Sequence, residues 1–167
     1  AQFLEKRHLM VVAEQLCILE ADKWRSIDER WKLVQGFAAD PWVTEYFKDS
    51  RDTISQLVSR HVLTVEEALE RGKELAVMFP AEGRVAAEIA TLMLVHNRDA
   101  DVPGLLKLAM EQARDNESWN AEWGLRLVRW HQGHQQHEEA MKLWEGLKGQ
   151  VKQPTLKKVL DAARPAA

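Results

Sequence analysis

Histidine is the residue type in this sequence best suited to chemistry, and it clusters near the carboxyl end as His131, His134 and His137. Imidazoles that converge can hold zinc or nickel. Here Gly133 interrupts the helical register inside the cluster, and the nearest carboxylates, Glu138 and Glu139, open the following helix. The spacing does not assemble a ligand set, so no metal ligand is assigned. The paired carboxylates Glu66–Glu67 and Glu138–Glu139 stand at predicted helix starts, where they complement the helix dipole and need no acid-base role. Cys17, the only cysteine, lies in the apolar run Leu16-Cys17-Ile18-Leu19 and reads as a small buried hydrophobe, with no intrachain disulfide open to it. The chain has no glycine-rich phosphate cradle, serine elbow or histidine-glutamate pair of the zincin kind. No catalytic residue and no cofactor site are assigned, and the chain reads as a scaffold.

The elements that would position any site follow from composition and periodicity. The chain has 167 residues, 46% apolar and 29% charged, which is enough to bury a substantial core. Its 23 basic and 26 acidic residues alternate finely to a net of -3, which argues against nucleic acid as a partner. No apolar run approaches the roughly 18 residues of a membrane span, and the start AQFLEKRHLM carries charges where a signal peptide is apolar. The expected location is the cytoplasm, with no membrane insertion. The first residue is not Met, and the expectation is a processed product or an excised fragment.

Helical spacing runs through the whole chain, and no segment alternates as a strand does. The stretch from Gln2 to Asp22 is apolar on most sides, as a central or partner-covered helix would be. Ser26 with Glu29 forms a capping box ahead of Ile27, Trp31 and Val34, and Asp40-Pro41 signals another helix start. Thr64 with Glu67 caps a helix expected to run to Pro80. Further helices are predicted over Gly83–His96, from Pro103 to Arg114, over Ser118–Gln132 and over Gln136–Lys148. Leu156, Val159 and Leu160 mark a short closing helix, and residues 161–165 read as a fraying tail.

An offset of 35 residues aligns Ile54, Leu57, Val58 and His61 with Ile89, Leu92, Met93 and His96, and then with Gly124, Leu127, Val128 and His131. The segments Arg51–Pro80, Gly83–Arg114 and Ser118–Lys148 resemble tetratricopeptide repeats, helical hairpins of about 34 residues. The clearest match is the last, where Leu127, Val128 and His131 occupy the first-helix signature positions and Ala140 and Trp144 of EEAMKLW the second. Glu66-Glu67-Ala68-Leu69 repeats that signal, and Pro80 follows Ala68 at the family's interval. The sequence departs from the family where Ile54, Ile89 and Gly124 replace the first-helix tryptophan. The resemblance implies an all-α chain, a short right-handed α-solenoid: residues 1–50 form an amino-terminal capping or dimerising segment, 51–148 three hairpin units, and 149–167 a closing helix and tail.

In such families the partner lies against the first helix of each hairpin. That geometry points to Ser55 and Ser59, then to Ala90, Leu94, Asn97 and Arg98, then to Leu125, Arg129 and Gln132. Trp119, Trp123 and Trp130 fall on nearly one face of one helix, a large aromatic surface of the kind that anchors interfaces. The expected partner site is therefore Leu94, Asn97, Arg98, Trp123, Leu125, Arg129, Trp130 and Gln132. The arginines and Asn97 would orient a helix or short segment of a partner protein, and Leu94, Trp123 and Trp130 would bury its apolar side. The expected function is an adaptor or assembly chaperone. Two alternatives are an obligate structural subunit and a small helical enzyme or metal-binding domain. A homodimer through the amino-terminal helices is the expected self-association.

Overall fold

The computed structural model describes residues 26–49 and 52–166, and among these all regular structure is helical. The expected helix from Gln2 to Asp22, with Cys17, and Trp24 beyond it lie outside the described residues. The chain divides into two compact units, Ala1–Ala81 and Glu82–Ala167.

In the first unit the side chain of Ser26 accepts a hydrogen bond from the Glu29 amide at 3.3 Å, and α1 (Ile27–Ala39) follows, burying Trp31 and Val34. Asp40 stops α1 and starts α2 (Pro41–Asp49), its carboxylate accepting the Trp42 amide at 2.8 Å. Next come α3 (Thr53–Ser59), α4 (Val65–Glu70) and α5 (Gly72–Met78). The expected cap at Thr64 is present, its hydroxyl accepting the Glu67 amide at 3.2 Å. The single helix expected from there to Pro80 is instead broken at Arg71, whose φ of -107° and ψ of 20° leave the helical region. The break sets the Arg71 guanidinium 4.6 Å over the Trp31 ring and places Gly72, which has no side chain to accommodate, in the interior. Local periodicity carries no information about such a tertiary contact.

Arg30 ties α1 to α4. Its guanidinium donates to both Glu67 carboxylate oxygens, at 2.7 and 2.8 Å, and to the Val62 carbonyl at 3.0 Å. Burial pushes the Glu67 carboxyl up, but the hydrogen bonds from Arg30 and Thr64 outweigh it and hold the group below its ordinary value.

The second unit runs α6 (Arg84–Val95), α7 (Val102–Gln112), α8 (Glu117–Gly133), α9 (His137–Gln150) and α10 (Pro154–Ala162). Each helix packs on the next, and α10 also touches α8. The entry to α6 is a left-handed turn with φ of 55° at Glu82 and 83° at Gly83. A side chain at Gly83 would place its first carbon 2.3 Å from the Ala109 carbonyl oxygen, so glycine is what lets this turn press against α7. Asn116 does two things at the start of α8: its side-chain oxygen accepts the Trp119 amide at 3.2 Å, and its amide nitrogen donates to the Glu82 carboxylate at 2.7 Å. The Trp123 indole donates to the Glu82 carbonyl at 3.0 Å, pinning the same turn to α8.

The core of this unit gathers Leu125 and Val128 of α8 with Ala140, Trp144 and Leu147 of α9 and Leu160 of α10. Gly124 lets α8 approach α9, since a carbon added there would lie 2.6 Å from the Leu147 side chain. The position that looked like a departure from the repeat signature is thus filled from the neighbouring helix. Residues 161–165, expected to fray, are held: Lys148 pairs with Asp161 at 2.7 Å, the Arg164 guanidinium lies 5.6 Å over the Trp144 ring, and Pro165 is buried. Leu160, fully buried one turn earlier, draws this segment onto α9.

Helices α3, α6 and α8 end alike. In each, a residue at positive φ (His61, Asn97 and Gln135) donates its amide three residues back, and the next amide reaches five back, to Leu57, Met93 and His131. This is the Schellman closure, here without glycine. The aligned histidines His61, His96 and His131 lie at or near these closures, and of the three only His61 occupies the left-handed position.

Candidate functional site

Helix α6 leaves Leu94 49% exposed near its carboxyl end. Beside it opens a groove of about 360 Å³. One wall is Ala87, Ala90, Thr91 and Leu94 of α6, the floor is Val102 and Leu106 of α7, and the far wall is Arg126, Arg129, Trp130 and Gly133 of α8. Small residues on both walls keep the groove open, and the buried floor makes it apolar.

Asp99 and His134 close one end. Asp99, in the short 3-10 turn Asp99–Asp101, accepts the Trp130 indole N–H at 3.1 Å on one carboxylate oxygen and meets His134 Nε2 with the other. His134 Nδ1 lies 2.7 Å from the Trp130 carbonyl oxygen, and the two rings stack with centroids 3.8 Å apart. Both ring nitrogens of His134 therefore face acceptors, and only the imidazolium can donate to both. The Trp130 carbonyl first and the Asp99 carboxylate second raise the His134 pKa above its ordinary value. Asp99 spends its carboxylate on orienting Trp130 and His134.

The two groove arginines differ. Arg126 lies 3.4 Å from the Glu122 carboxylate and 4.8 Å over the Trp123 ring. Arg129 is exposed and has no ion pair among the described residues. It also lines a second cavity, of about 560 Å³, on the other flank of α8. That cavity is formed by Leu125, Val128 and Gln132 of α8 and by Val159, Ala162 and Arg164 at the end of the chain.

Of the residues expected from sequence, Leu94, Arg129 and Trp130 meet in the first groove, and Leu125, Arg129 and Gln132 line the second. Trp123 is 3% exposed and Leu125 4% exposed, so both serve mainly as interior packing. Trp123 stacks on Trp119 at 4.9 Å, apart from the Trp130–His134 stack, so the three tryptophans do not form one surface. Asn97 and Arg98 occupy the exposed turn after α6, where their amides close the helix, and they line neither cavity. Ser55 and Ser59 are exposed in the first unit. Sequence reasoning missed Asp99, Thr91, Val159 and Arg164, and considered His134 only as a metal ligand. The spacing of Trp130 and His134 on one helix face was visible, but nothing in the sequence marks Asp99, 31 and 35 residues away, as their shared acceptor.

Among the described residues no three histidine, cysteine or acidic side chains come together as a metal site, and no helix is long and apolar enough to cross a membrane. No known family model matches the chain, and neither does any curated protein or solved structure.

Proposed function

We propose that this chain is a protein-interaction module of the cytoplasm, an adaptor or assembly chaperone that holds a helix or short segment of a partner protein in the groove between α6 and α8. On this reading the hairpins containing α3, α6 and α8 are units of one tetratricopeptide-like repeat, a view supported by their shared left-handed closure. The observation that carries the function is the groove itself: an apolar floor, an exposed Leu94 on one wall, and opposite it an indole whose orientation is set by Asp99 and His134. Such a preorganised apolar cleft with few polar groups is what a partner side chain needs to displace water at low entropic cost. The test is capture from native extract on the immobilised chain, compared with Leu94→Glu, which changes an exposed position and leaves the core intact. A partner kept by the native chain and lost by the folded variant is expected. Retention of the same partners by both overturns the assignment of this groove.

A further inference from the structure

We infer that the partner is an acidic protein segment lying across α8, with a carboxylate on Arg129 and an apolar side chain in each of the two flanking cavities. This rests on the reading of the α6–α8 groove as a partner site and extends it to the other side of the helix.

Arg129 lines both cavities, so it stands on the ridge that separates them. It is exposed, and among the described residues it has no carboxylate partner. The first cavity is mainly apolar, with Leu94, Val102 and Leu106, while the second mixes apolar Val159 with the polar side chains of Gln132 and Arg164 over buried Leu125 and Val128. Val159 is 49% exposed, the same as Leu94, so each flank presents one large apolar side chain to solvent.

Charge selects the occupant. The ionisable groups lining the two cavities are Arg126, Arg129, Arg164, His134 and Asp99. The single acid among them is already engaged by Trp130 and His134. Arg126 is likewise engaged, by Glu122, so the cations left to a partner are Arg129 and Arg164, on a chain whose net charge is -3, and they complement a carboxylate. A guanidinium between two hollows, each with one exposed apolar side chain, orients such a group by a two-point contact while its neighbours are buried on either side. A nucleic-acid strand fits less well, because it needs a run of cations and open aromatic faces, and Trp130 is already stacked on His134.

The experiment is selection of a phage library of random peptides on the full chain, followed by fluorescence anisotropy of the enriched peptide against Arg129→Glu, Leu94→Glu and Val159→Glu, each checked for folding by circular dichroism. The expected consensus is an Asp or Glu with an apolar residue on either side. Affinity should fall about tenfold in Arg129→Glu and recover when the peptide acid is replaced by arginine. Both cavity variants should weaken binding. Enriched peptides without an acid, or with equal affinity for Arg129→Glu, overturn the inference and leave the groove reading standing. Loss in Leu94→Glu alone confines the partner to the first groove and overturns the two-sided arrangement. An absence of enriched peptides, or Arg129-dependent binding of an oligouridine probe in their place, overturns both.

Discussion

Replacing Trp144 with Phe should loosen α10 and with it one wall of the second cavity. The Trp144 indole donates to the Leu160 carbonyl at 2.7 Å, and Leu160 is fully buried in the same cluster. Phenylalanine keeps most of the ring but removes the donor. The Leu160 carbonyl also accepts the Ala163 amide at 3.0 Å, so it is not left without a partner. The cost is then that of one hydrogen bond, about 1 kcal/mol, plus up to about 1 kcal/mol for packing lost to the smaller ring. The Lys148–Asp161 pair does little to compensate, since both side chains are about half exposed and such pairs contribute roughly 0.2–1 kcal/mol. A loss of 1–2 kcal/mol confined to this contact should accelerate amide hydrogen exchange along α10 roughly 5- to 30-fold. Hydrogen exchange read by mass spectrometry or NMR resolves α10 from α6 and α7, which should stay protected. Trp144→Ala should cost about 3–5 kcal/mol and lower the urea midpoint as well. If Trp144→Phe folds and α10 exchanges within about twofold of the native rate, the indole does not hold this helix and the argument fails.

Gly83→Ala should destabilise the chain by at least about 1–3 kcal/mol in urea unfolding, because its φ of 83° is strained for alanine and the new carbon meets the Ala109 backbone. Gly124→Ala should cost less, since its carbon meets only the movable end of Leu147, and the reverse order would contradict both close approaches. His134 should titrate above 6.5 by NMR, and Asp99→Asn should lower its pKa. A raised histidine pKa gives stability that is fully present below about pH 6.5 and is lost as pH rises through the folded value. A native titration at or below 6.5 would show that His134 does not donate to both acceptors.

The elements themselves were legible because capping and periodicity are local properties. Ser26, Asp40 and Thr64 start helices as their side-chain chemistry requires, and Ala140 and Trp144 meet in the core as their spacing indicated. Proline and glycine placed most of the breaks. The break at Arg71 stands directly before Gly72, and what periodicity did not show is the contact it makes, with the Trp31 ring forty residues earlier in the chain.

What the sequence determined by itself is the helical character of the described residues, an apolar face on most of those helices, and Leu94, Arg129 and Trp130 as candidates for one surface. Only the tertiary structure decided that Trp123 and Leu125 are buried, that Asp99 orients Trp130 and His134, and that Arg129 stands between two cavities. The physical reason is that periodicity reports which side of a helix excludes water. It does not report which polar groups from other helices meet there, because that depends on interhelical approach, set here by contacts such as Gly83 on Ala109 and Gly124 on Leu147.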